Sequence, residues 1–259
     1  MRDLRVSAVQ SMLHWEDAAA NRAMFAGKLA ALRGATDLVV LPEMFTTGFS
    51  MRSDDLAETM DGPTLTWMRQ QAAELDAALY GSVIIVDEGR AYNRGLFVRP
   101  DGGTSIYDKR HLFRFADETS HFSPGSERVV VAWRDWRILL QVCFDLRFPV
   151  FSRNRNDYDL ALYIANWPEP RRTPWSKLLL ARAIENQCYV VGANRVGMDG
   201  KGVHYTGDSI VVDPRGEVIA EVDPSQEGTA TVMLERNALE EFRAKFPVAR
   251  EADDFLLEL

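Results

Sequence analysis

The run Cys188-Tyr189-Val190-Val191-Gly192-Ala193 carries no charge and no alternation of polar with apolar positions. A strand of this kind has no face to offer to water, so other parts of the chain must cover both sides of it. Asp37–Leu41 is a second short apolar run of β-branched character, and Leu160–Ile164 reads as another strand. Helical patterns lie between them. In Asp17–Arg33 the residues Ala18, Phe25, Leu29 and Leu32 fall on one face, and Gly34 follows as a C-terminal cap. Pro63–Ala78 begins after Gly62 with proline near its first position, and Pro174–Asn186 and Ala238–Lys245 read as further helices.

The remaining strand signals are Leu4–Gln10, Tyr80–Val86, Tyr92–Val98, Ser105–Asp108, Val129–Trp133, Arg137–Val142, Ser209–Val212, Val218–Glu221 and Thr229–Met233. Turn chemistry separates them, as at Asp87-Glu88-Gly89 and Pro100-Asp101-Gly102-Gly103. No linker, repeat or low-complexity stretch interrupts the chain. The expectation is one α/β domain over residues 1–259, with sheets covered by helices in a layered sandwich.

Of the 259 residues, 46% are hydrophobic, ample for one large core. The formal net charge of −8 disfavours nucleic acid and anionic membrane surfaces as partners, although clustered arginines can still receive a small anion. The only cysteines, Cys143 and Cys188, make no disulfide framework and no metal-ligand spacing, so no metal or cofactor is expected. The N-terminus lacks a signal peptide and no apolar run is long enough for a bilayer, which points to a reduced, cytoplasmic protein.

Three residues stand where chemistry could be done. Glu43 follows the buried run through Pro42, at the strand end where open α/β sheets place their sites. A carboxylate partly withdrawn from water there becomes a usable general base. Lys109 ends a strand and opens the aperiodic stretch Arg110-His111-Leu112-Phe113; its ammonium could face a developing oxyanion. Cys143 lies where strand Arg137–Val142 turns into a short helical segment. Backbone N–H groups at such a turn favour a thiolate, lowering the thiol from roughly 8.5. Each residue alone is as well explained by a solvated edge charge or a buried structural thiol. His14, His111, His121 and His204 are alternative bases, and their spacing selects none.

Taken together, these segments resemble the nitrilase, or carbon–nitrogen hydrolase, superfamily. Its members carry Glu, Lys and Cys in this order, in the contexts Leu-Pro-Glu, Lys-x-His-Leu-Phe and Cys-x-Asp-x-Arg-Phe-Pro. All three contexts stand here, around Glu43, Lys109 and Cys143. Ser123-Pro124-Gly125, Ala165-Asn166-Trp167-Pro168, Ala183-Ile184-Glu185-Asn186-Gln187 and Ala193-Asn194-Arg195 extend the match along the whole chain. Met44-Phe45-Thr46-Thr47-Gly48-Phe49 and the C-terminal segment from Phe246-Pro247 look like the omega-amidase branch.

The resemblance implies a four-layer αββα sandwich that pairs as a homodimer, with the tail 246–259 at the interface. It also implies a second glutamate before the Ser-Pro-Gly turn, an offset that Glu118 holds. The implied reaction is hydrolysis of a small carboxamide through a cysteine thioester. Glu43 moves the proton, Lys109 and the Phe144 N–H hold the oxyanion, and Glu118 orients the lysine. The substrate implied is 2-oxoglutaramate or 2-oxosuccinamate. Arg172 or Arg171 would meet the distal carboxylate, and Trp167 would form an apolar wall. A nitrilase or an N-carbamoyl amino acid hydrolase is the near alternative, and a non-catalytic binding module on the same fold is the distant one.

Overall fold

The computed structural model describes residues 2–256. In chain order the elements are β1 (Leu4–Gln10), α1 (Ala18–Ala30), β2 (Leu38–Val40), α2 (Ser53–Leu56), α3 (Pro63–Leu75), β3 (Ala78–Asp87), β4 (Arg90–Val98), β5 (Thr104–Asp108) and α4 (Glu118–His121). There follow β6 (Val130–Trp133), β7 (Trp136–Val142), α5 (Pro149–Ser152), β8 (Leu160–Ala165), α6 (Arg172–Asn186), β9 (Tyr189–Asn194), β10 (Val196–Met198), β11 (His204–Thr206), β12 (Ile210–Val212), β13 (Val218–Glu221), β14 (Gly228–Leu234) and α7 (Arg236–Lys245).

Two six-stranded sheets result, ordered β14-β1-β2-β3-β4-β5 and β13-β12-β9-β8-β7-β6. Each has three parallel strands at its centre, β1-β2-β3 in the first and β7-β8-β9 in the second, flanked by antiparallel ones. The apolar runs that demanded cover supply central strands, because helical crossovers bury both of their faces.

Alternation along the strands assigns the layers. Leu4, Val6 and Ala8 of β1, Leu38 and Val40 of β2, and Tyr80 and Phe97 join one apolar cluster with the second sheet. That cluster continues beyond the second sheet to Trp175, Leu179 and Ala183 of α6. Val9, Val39, Leu79 and Leu96 face the other way, toward Phe25 and Leu29 of α1 and Leu65, Met68 and Ala72 of α3. The layers are therefore helix, sheet, sheet, helix, the αββα sandwich. At Gly192 a Cβ would lie 2.4 Å from Leu179, so the missing side chain lets α6 press onto β9.

The sequence reading had no counterpart for the two-stranded β10–β11 hairpin. Its strands are three residues each and the turn between them carries Gly200 and Gly202, so no period accumulates. In the C-terminal segment, the Arg155 guanidinium lies 4.5 Å from the Phe255 ring centroid of the same chain, while Phe246 and Leu256 are exposed. Leu257 and Leu259 lie outside the described residues. Among the described residues no helix is long and apolar enough to cross a membrane.

Candidate active site

The C-terminal ends of the central strands point to one region, and the candidate residues follow them. After β2 the chain turns at Glu43-Met44, where Met44 takes a left-handed φ of 41° and donates its N–H to Ser82 Oγ at 2.8 Å. Met44 and Phe45 are buried beyond the turn, which holds the Glu43 side chain in the interior with no exposure. One carboxylate oxygen accepts from Lys109 Nζ at 2.9 Å and Asn93 Nδ2 at 2.8 Å; the other accepts from the Asn166 N–H at 2.8 Å.

Lys109 follows β5. Its N–H donates to the Asn93 carbonyl and its carbonyl accepts from Gly125, each at 3.0 Å. The ammonium is fully buried and reaches both oxygens of Glu118, at 3.0 and 2.9 Å, as well as Glu43. Glu118 opens α4, and its carboxylate also accepts from the Phe113 N–H at 2.5 Å. Cys143 begins a 3₁₀ turn directly after β7, with a left-handed φ of 49°. A non-glycine residue there is strained, and the strain aims the side chain out of the strand into a cavity.

Two carboxylates and one ammonium, all buried, set the electrostatics. Burial alone would favour the neutral amine, but Glu118 and Glu43 outweigh it and hold Lys109 protonated, above its ordinary range. Burial raises Glu118, against the pull of Lys109, and the neighbouring Glu43 charge adds to the rise. Burial also pushes the Cys143 thiol up, and Glu43 reinforces this. The backbone turn was expected to lower the thiol; burial and the carboxylates win instead, which favours the protonated thiol at rest.

The cavity at Cys143 has a volume of about 120 Å³. Phe113, Phe144 and Trp167 give it apolar walls, and Asn166 stands beside the thiol end. Arg171 lines it; Arg172 does not, and instead donates to Asp208 at 2.6 Å. Arg171 caps α6 and Arg172 is its first residue, so the two side chains leave the chain in different directions and only Arg171 lines the cavity. Arg147, four residues after the cysteine, also lines it, with its guanidinium 5.3 Å from the Trp167 ring centroid. Arg171 sits likewise over Phe113 at 5.1 Å. Among the described residues neither arginine has an acidic partner within ion-pair distance.

None of the four histidines lines the cavity. His111 is held against Asp145, and His204 pairs with Glu169 on the surface. The sequence reading missed Asn93, which donates to both Glu43 and Glu118, and the contribution of the β10–β11 hairpin, Asp199, Lys201, Val203 and Tyr205. A buried asparagine within an otherwise strand-forming segment was the available signal for the first. The hairpin left none.

Comparison with known proteins bears on this geometry. The family described as carbon-nitrogen hydrolase matches residues 5–244. An omega-amidase, YafV, of Escherichia coli strain K12 is 50% identical over 257 residues, covering 99% of this chain and 100% of the relative. A 2-oxoglutaramate amidase of Bacillus subtilis is 33% identical over 218 residues, 82% of this chain and 83% of that one. A crystal structure from Xanthomonas campestris, a CN-hydrolase superfamily protein with an arsenic adduct in its active site, superposes with a TM-score of 0.98 at 49% identity, covering all of both chains.

Proposed function

The chain belongs to the carbon–nitrogen hydrolase family and is an amidase, and from that premise we propose that it is an omega-amidase. Its substrate on this reading is a short 2-oxo dicarboxylate monoamide, 2-oxoglutaramate or 2-oxosuccinamate. The observation that carries the substrate class is the pair of unneutralised guanidiniums, Arg147 and Arg171, in the wall of the Cys143 cavity. Arg171 is half-buried and Arg147 more exposed, and a guanidinium held over an aromatic ring without an acidic partner is suited to receive a carboxylate. A terminal amide at the sulfur and a carboxylate at the arginines match the two ends of such a substrate.

The chemistry runs through side chains already in place. Cys143 attacks the amide carbon while Glu43 accepts the thiol proton. The oxyanion forms beside the Lys109 ammonium and the Phe144 N–H. Glu43 returns the proton to the amide nitrogen, the C–N bond breaks and ammonia departs, leaving a thioester. Glu43 then takes a proton from water as its oxygen attacks; the acid leaves and the thiol reforms. Glu118, bonded through both oxygens to Lys109, orients the ammonium and offsets its charge. We place the enzyme in the cytoplasm, as one hydrolase domain acting as a homodimer.

Ammonia release by purified protein tests this reading. Hydrolysis of 2-oxoglutaramate should exceed that of a matched nitrile and of an N-carbamoyl amino acid, and Cys143→Ala should abolish it. Activity surviving that substitution removes the nucleophile; a preference for either competitor removes the substrate class.

A further inference from the structure

The nucleophile and the lysine stand on different sheets. Lys109 leaves β5 of the first sheet and Cys143 leaves β7 of the second. Apolar packing between sheets is non-directional and does not by itself fix where one set of strand ends stands relative to the other. Directional bonds must do so, and one side chain supplies three of them at this point.

Asp145 lies two residues after Cys143 and is fully buried. Its carboxylate accepts four hydrogen bonds. Val142, the residue before the nucleophile, donates its N–H at 2.9 Å. From the first sheet come the Tyr107 hydroxyl at 2.7 Å, the His111 N–H at 2.9 Å and His111 Nδ1 at 2.7 Å. Tyr107 and His111 flank Lys109 at two residues on either side, and the Tyr107 oxygen also accepts from the Arg110 N–H at 3.3 Å. The His111 ring is stacked on Phe148 with centroids 3.8 Å apart and meets the edge of Phe151, so its orientation is fixed by the segment that follows the nucleophile. Among the described residues no lysine or arginine reaches Asp145; its four donors hold two loops together.

We propose that Asp145 and His111 are positioning residues that fix the Lys109 ammonium against Cys143 across the sheet interface. The proposal rests on the reading of Cys143 as nucleophile and Lys109 as the oxyanion's cation. His111 belongs to the lysine loop and meets the nucleophile's segment through Asp145, Phe148 and Phe151 downstream of the sulfur, whereas Asp145 also binds the Val142 N–H directly before it. The two substitutions therefore differ in a way that a general loss of stability does not reproduce. Alkylation of Cys143 by iodoacetamide, compared at equal thiolate fraction from its pH profile so that the lysine's effect on the thiol is removed, needs the sulfur in place but forms no oxyanion, so it reports the nucleophile turn; kcat for amide hydrolysis reports turn and lysine together.

His111→Ala is expected to lower kcat by on the order of 10²-fold, the scale of an ångström misplacement of a catalytic group, with KM within about threefold and the alkylation rate within about twofold of wild type. Asp145→Asn, which turns one acceptor oxygen into a donor, is expected to lower both kcat and alkylation. A kcat for His111→Ala within about threefold of wild type overturns the proposal. So does a fall in alkylation parallel to the fall in kcat, since the histidine would then support the fold and not the lysine. Should Asp145→Asn fail to fold, His111→Ala alone decides. Activity retained by Cys143→Ala or Lys109→Ala would instead refute the reading beneath, whatever His111→Ala does.

Discussion

Around Cys143 three charges act on one sulfur with known signs. Glu43 and Glu118 raise the thiol's pKa above the lift given by burial, and Lys109 lowers it. The midpoint of the pH dependence of Cys143 alkylation should therefore move down in Glu118→Gln, where a raising charge is lost, and up in Lys109→Met, where the lowering charge is lost. On the proposed mechanism both variants should nevertheless lose turnover, by on the order of 10²-fold, because the oxyanion depends on the ammonium and on the carboxylate that orients it. A Glu118→Gln midpoint at or above that of wild type would show that Glu118 carries no charge that the sulfur feels. The three candidate residues were legible because each stands in a short run of linked identities, such as Leu41-Pro42-Glu43. Their supporting bonds were not: nothing in one dimension announces that Asn93 meets Glu43 and Glu118, because those contacts span 50 and 25 positions.

At the level of elements, strands and long helices followed from periodicity, and the loops that carry the site did not. The Lys109 loop shows why. It has no period, and its shape depends on a close approach visible only in three dimensions. A Cβ on Gly125 would lie 2.2 Å from the carbonyl oxygen of Asp108, the residue before the lysine. The clash is with backbone, so a flexible side chain cannot yield to relieve it. Gly125→Ala should push the lysine loop away from the returning chain and break the Gly125 N–H bond to the Lys109 carbonyl. Overpacking of this kind costs about 1–3 kcal/mol of stability, and kcat should fall at least tenfold. Urea denaturation and steady-state kinetics on one preparation check both. Wild-type turnover in Gly125→Ala would show that Lys109 does not depend on this contact. The choice between Arg171 and Arg172 belongs to this scale too: sequence placed a cation where α6 begins, and the break between the 3₁₀ turn and the helix turned Arg171 to the cavity and Arg172 to Asp208.

For the whole molecule, the layers meet in a buried ionic centre at the opposite strand ends. Asp159, with no exposure, stands just before β8 and receives Arg137 of β7 at 2.7 Å together with Arg236 and Arg243 of α7, each at 2.8 Å. One carboxylate thus ties the closing helix to the second sheet. Burial alone would raise Asp159, but the bonds from Arg137 and Arg236 overcome it and hold the group well below the usual carboxylate range. A carboxyl group depressed on folding stabilises the native state at every pH above its unfolded value of about 3.9, and that contribution fades as pH falls through the lower folded value. Unfolding free energy from urea titrations should therefore drop as pH falls below about 4. In Asp159→Asn three arginines lose their common partner, a loss of about 3–5 kcal/mol near neutrality by the scale of broken buried pairs. The acid-side slope of that variant should also be shallower than that of wild type, though not flat, because Asp157 is likewise held low, against burial, by Arg128. Parallel slopes for the two proteins would mean that the acid sensitivity of the fold arises elsewhere.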